Sequence, residues 1–278
     1  MVLGTAVAGL TCLADVTSAN IVGYTGNNLV AGKYNLIALP FTAVAGGNMK
    51  LTEAMTGANW YPNDDANQAD NIKVWDATTG GYVSYYYWED DTHEYDGWYD
   101  CKTGFSFFDD CPENADGLET GWTAWYLSRG GENPNVTFSG AVESADDFKV
   151  TIYGGSYNLI ANPFPSSFQP NADQPWWVRS EPKLVDWNGP TANDDANQAD
   201  NIKLWDAATG GYTTYYYWED SSHEYDGWYD AKTGFNFFED DPDRPENTNG
   251  IKGGEVFWYL SRAAKGNNRN ITFLNPTK

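Results

Sequence analysis

Asn71-Ile72-Lys73-Val74-Trp75-Asp76-Ala77-Thr78-Thr79-Gly80-Gly81-Tyr82-Val83-Ser84-Tyr85-Tyr86-Tyr87-Trp88 reads as a β-hairpin. The chain writes it again as Asn201-Ile202-Lys203-Leu204-Trp205-Asp206-Ala207-Ala208-Thr209-Gly210-Gly211-Tyr212-Thr213-Thr214-Tyr215-Tyr216-Tyr217-Trp218. Aromatic and β-branched residues fill both arms, as strands prefer. Between the arms, Asp76 can cap a turn and Gly80 and Gly81 can take positive φ. Helical periodicity is nearly absent elsewhere, and short aromatic runs alternate with Gly, Asn, Asp and Pro turns. The expected fold class is therefore all-β, with about seven or eight strands per copy in a β-sandwich or jelly-roll-like arrangement.

The hairpin lies inside a longer repeat. Residues 63–111 match 193–241 without a gap, identical at 39 of 49 positions. Similarity continues on both sides at changed offsets. Tyr34-Asn35-Leu36-Ile37-Ala38 returns as Tyr157-Asn158-Leu159-Ile160-Ala161, and Trp125-Tyr126-Leu127-Ser128-Arg129 as Trp258-Tyr259-Leu260-Ser261-Arg262. Asn135-Val136-Thr137-Phe138 returns as Asn270-Ile271-Thr272-Phe273. A unit of this length is a domain rather than a solenoid repeat. The expected organisation is an apolar segment at 1–19, a β domain at 20–141 and a homologous β domain at 142–278. Each domain is expected to start with its Tyr-Asn-Leu-Ile-Ala strand. Insertions in the second fall around Gln174–Trp177 and Asp243–Pro245. Val74-Trp75-Asp76 resembles a propeller-blade turn, but two occurrences 130 residues apart do not make a propeller.

The net charge of −23 argues strongly against nucleic acid and an anionic membrane surface as partners. Residues 1–14 form an apolar run too short to span a bilayer, followed by Thr17-Ser18-Ala19, which suits cleavage of an export signal. Cys101 and Cys111 occur in the first copy, where the second has Ala231 and Asp241. Present together or absent together, they are expected to form a disulfide in an oxidising compartment.

Alternation along Tyr82–Trp88 puts Tyr82, Ser84, Tyr86 and Trp88 on one face and Val83, Tyr85 and Tyr87 on the other. One face must be core. The other displays rings, with Trp98 and Tyr99 expected nearby. The candidate platform is Tyr86, Trp88 and Trp98, repeated as Tyr216, Trp218 and Trp228. It can stack on sugar rings, enter a subunit interface or simply stabilise the sheet.

Two acidic loops recur. The first holds Asp64, Asp65, Asn67, Asp70 and Asn71, repeated as Asp194, Asp195, Asn197, Asp200 and Asn201. The second holds Glu89, Asp90, His93, Glu94 and Asp96, repeated as Glu219, Asp220, His223, Glu224 and Asp226. The candidate Ca²⁺ ligands are the carboxylates Asp64, Asp65, Asp70, Asp90, Glu94 and Asp96 with Asp194, Asp195, Asp200, Asp220, Glu224 and Asp226, since hard oxygen donors suit that ion. The spacing matches no EF-hand, and solvated turns with Asx capping account for the same residues. The lone histidines read as surface residues rather than zinc ligands. No nucleophile, zinc-hydrolase or phosphate-loop motif is present, so an enzyme is not expected.

Ala19-Asn20-Ile21-Val22-Gly23-Tyr24, followed by Ala31-Gly32-Lys33-Tyr34-Asn35-Leu36-Ile37-Ala38-Leu39-Pro40, resembles the mature start of secreted β-rich repeat proteins of the Planctomycetes–Verrucomicrobia bacterial group. Asn162 fits that pattern where Leu39 departs from it. The resemblance implies export and β architecture and carries no activity. Together these features give two expectations. One is a secreted structural protein, a filament or surface-layer subunit assembling with itself, with Ala19–Tyr24 as a candidate donor strand. The other is a bivalent, lectin-like carbohydrate-binding protein using Ca²⁺ or acidic loops.

Overall fold

The structure is a computed structural model. It describes residues 22–43, 49, 55–56, 60–89, 91–93, 95–104, 118–130, 135–142, 147–172, 182–219, 221–234 and 250–276. These residues form antiparallel sheets, and no helix occurs among them. The first half contains β1 (Val22–Asn28), β2 (Tyr34–Ala38), β3 (Met55–Thr56), β4 (Asn71–Asp76), β5 (Gly81–Trp88), β6 (Gly97–Asp100), β7 (Thr123–Leu127) and β8 (Asn135–Ala141). The second contains β9 (Phe148–Ile152), β10 (Tyr157–Ala161), β11 (Val185–Asp186), β12 (Asn201–Asp206), β13 (Gly211–Trp218), β14 (Gly227–Asp230), β15 (Val256–Leu260) and β16 (Arg269–Phe273).

Each half is β-sandwich-like. A five-stranded sheet, β2-β7-β4-β5-β6, accompanies a three-stranded one, β1-β8-β3. The second half has the order β10-β15-β12-β13-β14 with β11-β16-β9, each strand number raised by eight. The chain passes between halves from Ala141 to Phe148. Each half opens one strand earlier than expected, on β1 and β9 rather than on the Tyr-Asn-Leu-Ile-Ala strand. Of the donor-strand candidate Ala19–Tyr24, residues 19–21 lie outside the described residues. Val22, Gly23 and Tyr24 are paired within the chain to Ala141, Gly140 and Ser139. The segment 1–19 and both insertions centred on Gln174–Trp177 and Asp243–Pro245 lie outside the described residues.

The hairpin joins Asn71–Asp76 to Gly81–Trp88 in the register Asp76↔Gly81 to Asn71↔Tyr86. Its turn closes through Gly80, at φ 70°, whose N–H reaches the Asp76 carbonyl. The Asp76 carboxylate accepts from the hydroxyls of Thr78 and Thr79 at 2.6 and 2.7 Å. The inner faces fill two cores. Ile37, Ile72, Tyr85, Tyr87, Trp98, Tyr126 and Phe138 belong to the first, and Ile160, Ile202, Tyr215, Tyr217, Trp228, Tyr259 and Phe273 to the second. Phe138 and Phe273 come from the small sheets, so each core lies between its two sheets.

Candidate ligand groove between the halves

Period two leaves the other face of each large sheet with Tyr34, Leu36 and Ala38 on β2, Lys73 and Trp75 on β4, Tyr82 on β5 and Trp125 on β7. The second half presents Tyr157, Leu159 and Ala161 on β10, Lys203 and Trp205 on β12, Tyr212 on β13 and Trp258 on β15. All seven positions carry the same residue type in both halves. These faces meet. Ala38, Ala161 and Val256 form a third buried cluster, flanked by Leu36 and Leu159.

The contacts are reciprocal, as a two-fold relation between the halves requires. Trp75 packs edge-on against Trp258 and Trp205 against Trp125, each at 5.1 Å between ring centroids. The Trp75 indole donates to the Tyr157 carbonyl at 2.8 Å, and the Trp205 indole to the Tyr34 carbonyl at 2.9 Å. Each of these indoles thus satisfies a backbone carbonyl of the opposite half.

Two matching clefts flank this contact. Tyr34, Lys73, Tyr82, Trp125, Trp205 and Tyr212 line one, of about 290 Å³. Tyr157, Lys203, Tyr212, Trp258, Trp75 and Tyr82 line the other, of about 230 Å³. Tyr82 and Tyr212 border both, so the clefts adjoin as one aromatic groove. Both tyrosines are nearly half exposed, at 46% and 44%. Their hydroxyls accept from Trp125 and Trp258 at 3.2 Å. Partial burial, against the lowering effect of those hydrogen bonds, pushes both phenols above their ordinary pKa. At neutral pH each stays protonated and can donate into the groove. The ammonium of Lys73 lies 5.0 Å above the Tyr34 ring and that of Lys203 5.2 Å above Tyr157, cation–π distances. No carboxylate lines either cleft among the described residues.

The expected platform falls elsewhere. Trp98 and Trp228 are core residues, 3% and 0% exposed, and cannot stack on a ligand. They pack against Trp60 and Trp187 at 5.1 and 5.0 Å. Trp88 and Trp218 do remain at the surface. Each donates to Asp64 or Asp194, at 2.8 and 2.7 Å, and meets Tyr99 or Tyr229 edge-on. They share a strand face with Tyr82 or Tyr212 but lie ~20 Å further along it. Tyr86 and Tyr216 lie between, partly buried, outside the groove lining.

The acidic loops also resolve differently. Asp70 and Asp200 are fully buried, which corrects their reading as loop ligands. Asp70 accepts from Tyr61 N, the Tyr126 hydroxyl and Arg129 N at 2.9, 2.6 and 2.6 Å. Asp200 accepts from Thr191 N, the Tyr259 hydroxyl and Arg262 N at 3.0, 2.6 and 2.6 Å, and pairs with Arg269. Burial, ahead of the neighbouring charges, pushes Tyr126 and Tyr259 far above the ordinary phenol range. Asp65 and Asp195 close Asx turns onto Asn67 and Asn197, and those backbone bonds chiefly lower their pKa.

In the second loop, Glu89, His93 and Asp96 bring ligand atoms within 4.8 Å of one another and could hold a cation. Three ligands fall short of the six to eight that Ca²⁺ takes. His93 and His223 adopt φ 57° and approach Asp96 and Asp226 at 2.8 and 2.9 Å. Glu224 is exposed. Asp90, Glu94, Asp220 and Cys111 lie outside the described residues. Cys101 is a free, exposed thiol, so the expected bond to Cys111 is not seen.

The groove residues Tyr34, Trp75, Trp125 and their repeats were not singled out in the sequence. The available signal was their identity across three blocks of different offset. No protein-family model matches the chain, and no curated protein or solved structure matches it either.

Proposed function

We propose that the chain is a secreted glycan-binding protein, holding a run of sugar rings in the groove between its halves. The observation that supports this is the pair of matching aromatic clefts joined at Tyr82 and Tyr212. Pyranose rings present C–H faces that stack on indole and phenol rings, while their hydroxyls accept from Tyr and Lys donors. Two adjoining subsites on one chain add their binding, so each can be weak. The reading is of binding without turnover, because glycoside hydrolysis uses a carboxylate pair and the described lining supplies none. Ca²⁺ at Glu89, His93 and Asp96 would lie on the loop after β5 rather than among the groove residues.

A glycan array probed with the wild-type chain and a Tyr82→Ala/Tyr212→Ala variant tests the reading. Retention that the variant loses, while its thermal unfolding is unchanged, supports it. Equal retention by both proteins counts against it. A second reading, a self-assembling filament or surface layer, draws on β6 and β14, each paired on one side only among the described residues. Such edges can take a strand from another copy. Filaments under electron microscopy, lost in chelator or not, together with an empty array, would favour it.

A further inference from the structure

The two lysines narrow the ligand class. This step rests on the glycan reading above. The chain carries 39 acidic residues against 16 Lys and Arg, so carboxylates outnumber cations more than twofold. Lys73 and Lys203 make no ion pair with any described residue. Each is instead held over a tyrosine ring, and Lys203 also reaches the Tyr157 hydroxyl at 3.2 Å. A cation–π contact fixes the ammonium without neutralising it. The groove therefore holds one uncompensated positive charge at each equivalent position, in a protein that is negative overall.

We infer that the sugars bound in this groove carry an anionic substituent, a carboxylate or a sulfate, facing Lys73 and Lys203. A charge-assisted hydrogen bond to such a group is stronger than one to a sugar hydroxyl. The net charge of −23 opposes the approach of a polyanion from a distance. At the ~0.15 M salt of a saline exterior that repulsion is screened beyond ~8 Å, whereas a contact pair is not. The groove thus selects an acidic sugar at short range where the remaining surface repels it.

The test is an array of matched pairs read at 0.15 M NaCl: oligogalacturonate beside its carboxyl-reduced form, and sulfated beside desulfated galactan, each pair of equal length. The expected result is at least about tenfold tighter binding to the acidic member of one pair. A Lys73→Gln/Lys203→Gln variant should lose that preference, binding the acidic and neutral members of each pair with similar and weaker affinity. The carboxylate and sulfate pairs distinguish which anion is read. Equal binding to acidic and neutral members, or a preference that survives the lysine substitutions, overturns the inference and leaves the glycan reading standing. Failure of the wild-type chain to bind any member, with a cooperative thermal unfolding that shows it folded, overturns both.

Discussion

The indole nitrogen of Trp75 donates to the carbonyl oxygen of Tyr157 at 2.8 Å, and the two residues belong to different halves of the chain. Trp205 and Tyr34 make the same contact in reverse at 2.9 Å. The halves are therefore fastened as well as tethered. Replacing Trp75 and Trp205 with Ala removes both hydrogen bonds and both edge-to-face ring pairs. Each substitution should cost about 2 kcal/mol of the contact between halves. Limited proteolysis of the double variant should cut between Ala141 and Phe148 at least tenfold faster than in wild type. An unchanged cutting rate would mean that the apolar cluster alone holds the halves together.

Trp218 and Trp228 lie ten residues apart and should behave oppositely. Trp228 is fully buried among Trp187, Tyr217 and Tyr259, so Trp228→Ala should destabilise by about 3–5 kcal/mol. Trp218 is partly exposed and loses chiefly its bond to Asp194, so Trp218→Ala should cost about 1 kcal/mol. Urea unfolding of the two variants measures the contrast.

Asp200 gathers two backbone N–H groups, the Tyr259 hydroxyl and the Arg269 guanidinium. Asp200→Ala leaves all four without their acceptor and should cost about 3–5 kcal/mol. Arg269→Met should cost less, near 1–2 kcal/mol, where breaking a buried pair often costs 3–5 kcal/mol. The first half gives the reason. Asp70 is held by the same three donors, and Pro134 stands where the alignment of Asn135 with Asn270 would place the arginine. Equal losses for the two variants would show that the ion pair, not the three donors, keeps the carboxylate in place.

The hydroxyls of Thr78 and Thr79 lower the pKa of Asp76 to about 2. A lowered carboxylate favours the folded turn above its ordinary value of 3.8 and loses that contribution as pH falls through its folded value. A carbon-detected NMR titration should place the Asp76 midpoint near 2. Thr78→Ala removes the largest cause and should move it upward. The equivalent turn already has Ala208 in place of that threonine. A midpoint that stays put would assign the shift to the remaining turn contacts.

The hairpin and its strand faces were legible because alternation and turn chemistry act over a few residues. Tyr85 and Tyr87 are buried and Tyr82 is exposed, as period two requires. Trp98 was misread because nothing local to Gly97–Asp100 says which face of that strand is core, and its alternation partner is the acidic Asp100. Asp100 is buried all the same, since its carboxylate accepts the N–H groups of Lys102 and Thr103 in the next turn. Asp70 escaped for a different reason. Two of its donors, Tyr126 and Arg129, lie more than fifty residues away. The groove is less legible still, because Trp75 and Trp125 act on partners in the other half, and nothing local in β4 or β7 announces that.

A polymer of sugars has a reducing and a non-reducing end, and most proteins that hold one can tell them apart. The reciprocal contacts of Trp75 with Trp258 and of Trp205 with Trp125 give the groove no such direction. On the glycan reading proposed above, a strand laid across it would meet the same order of rings and lysines whichever way it ran. Such a site would read spacing rather than polarity.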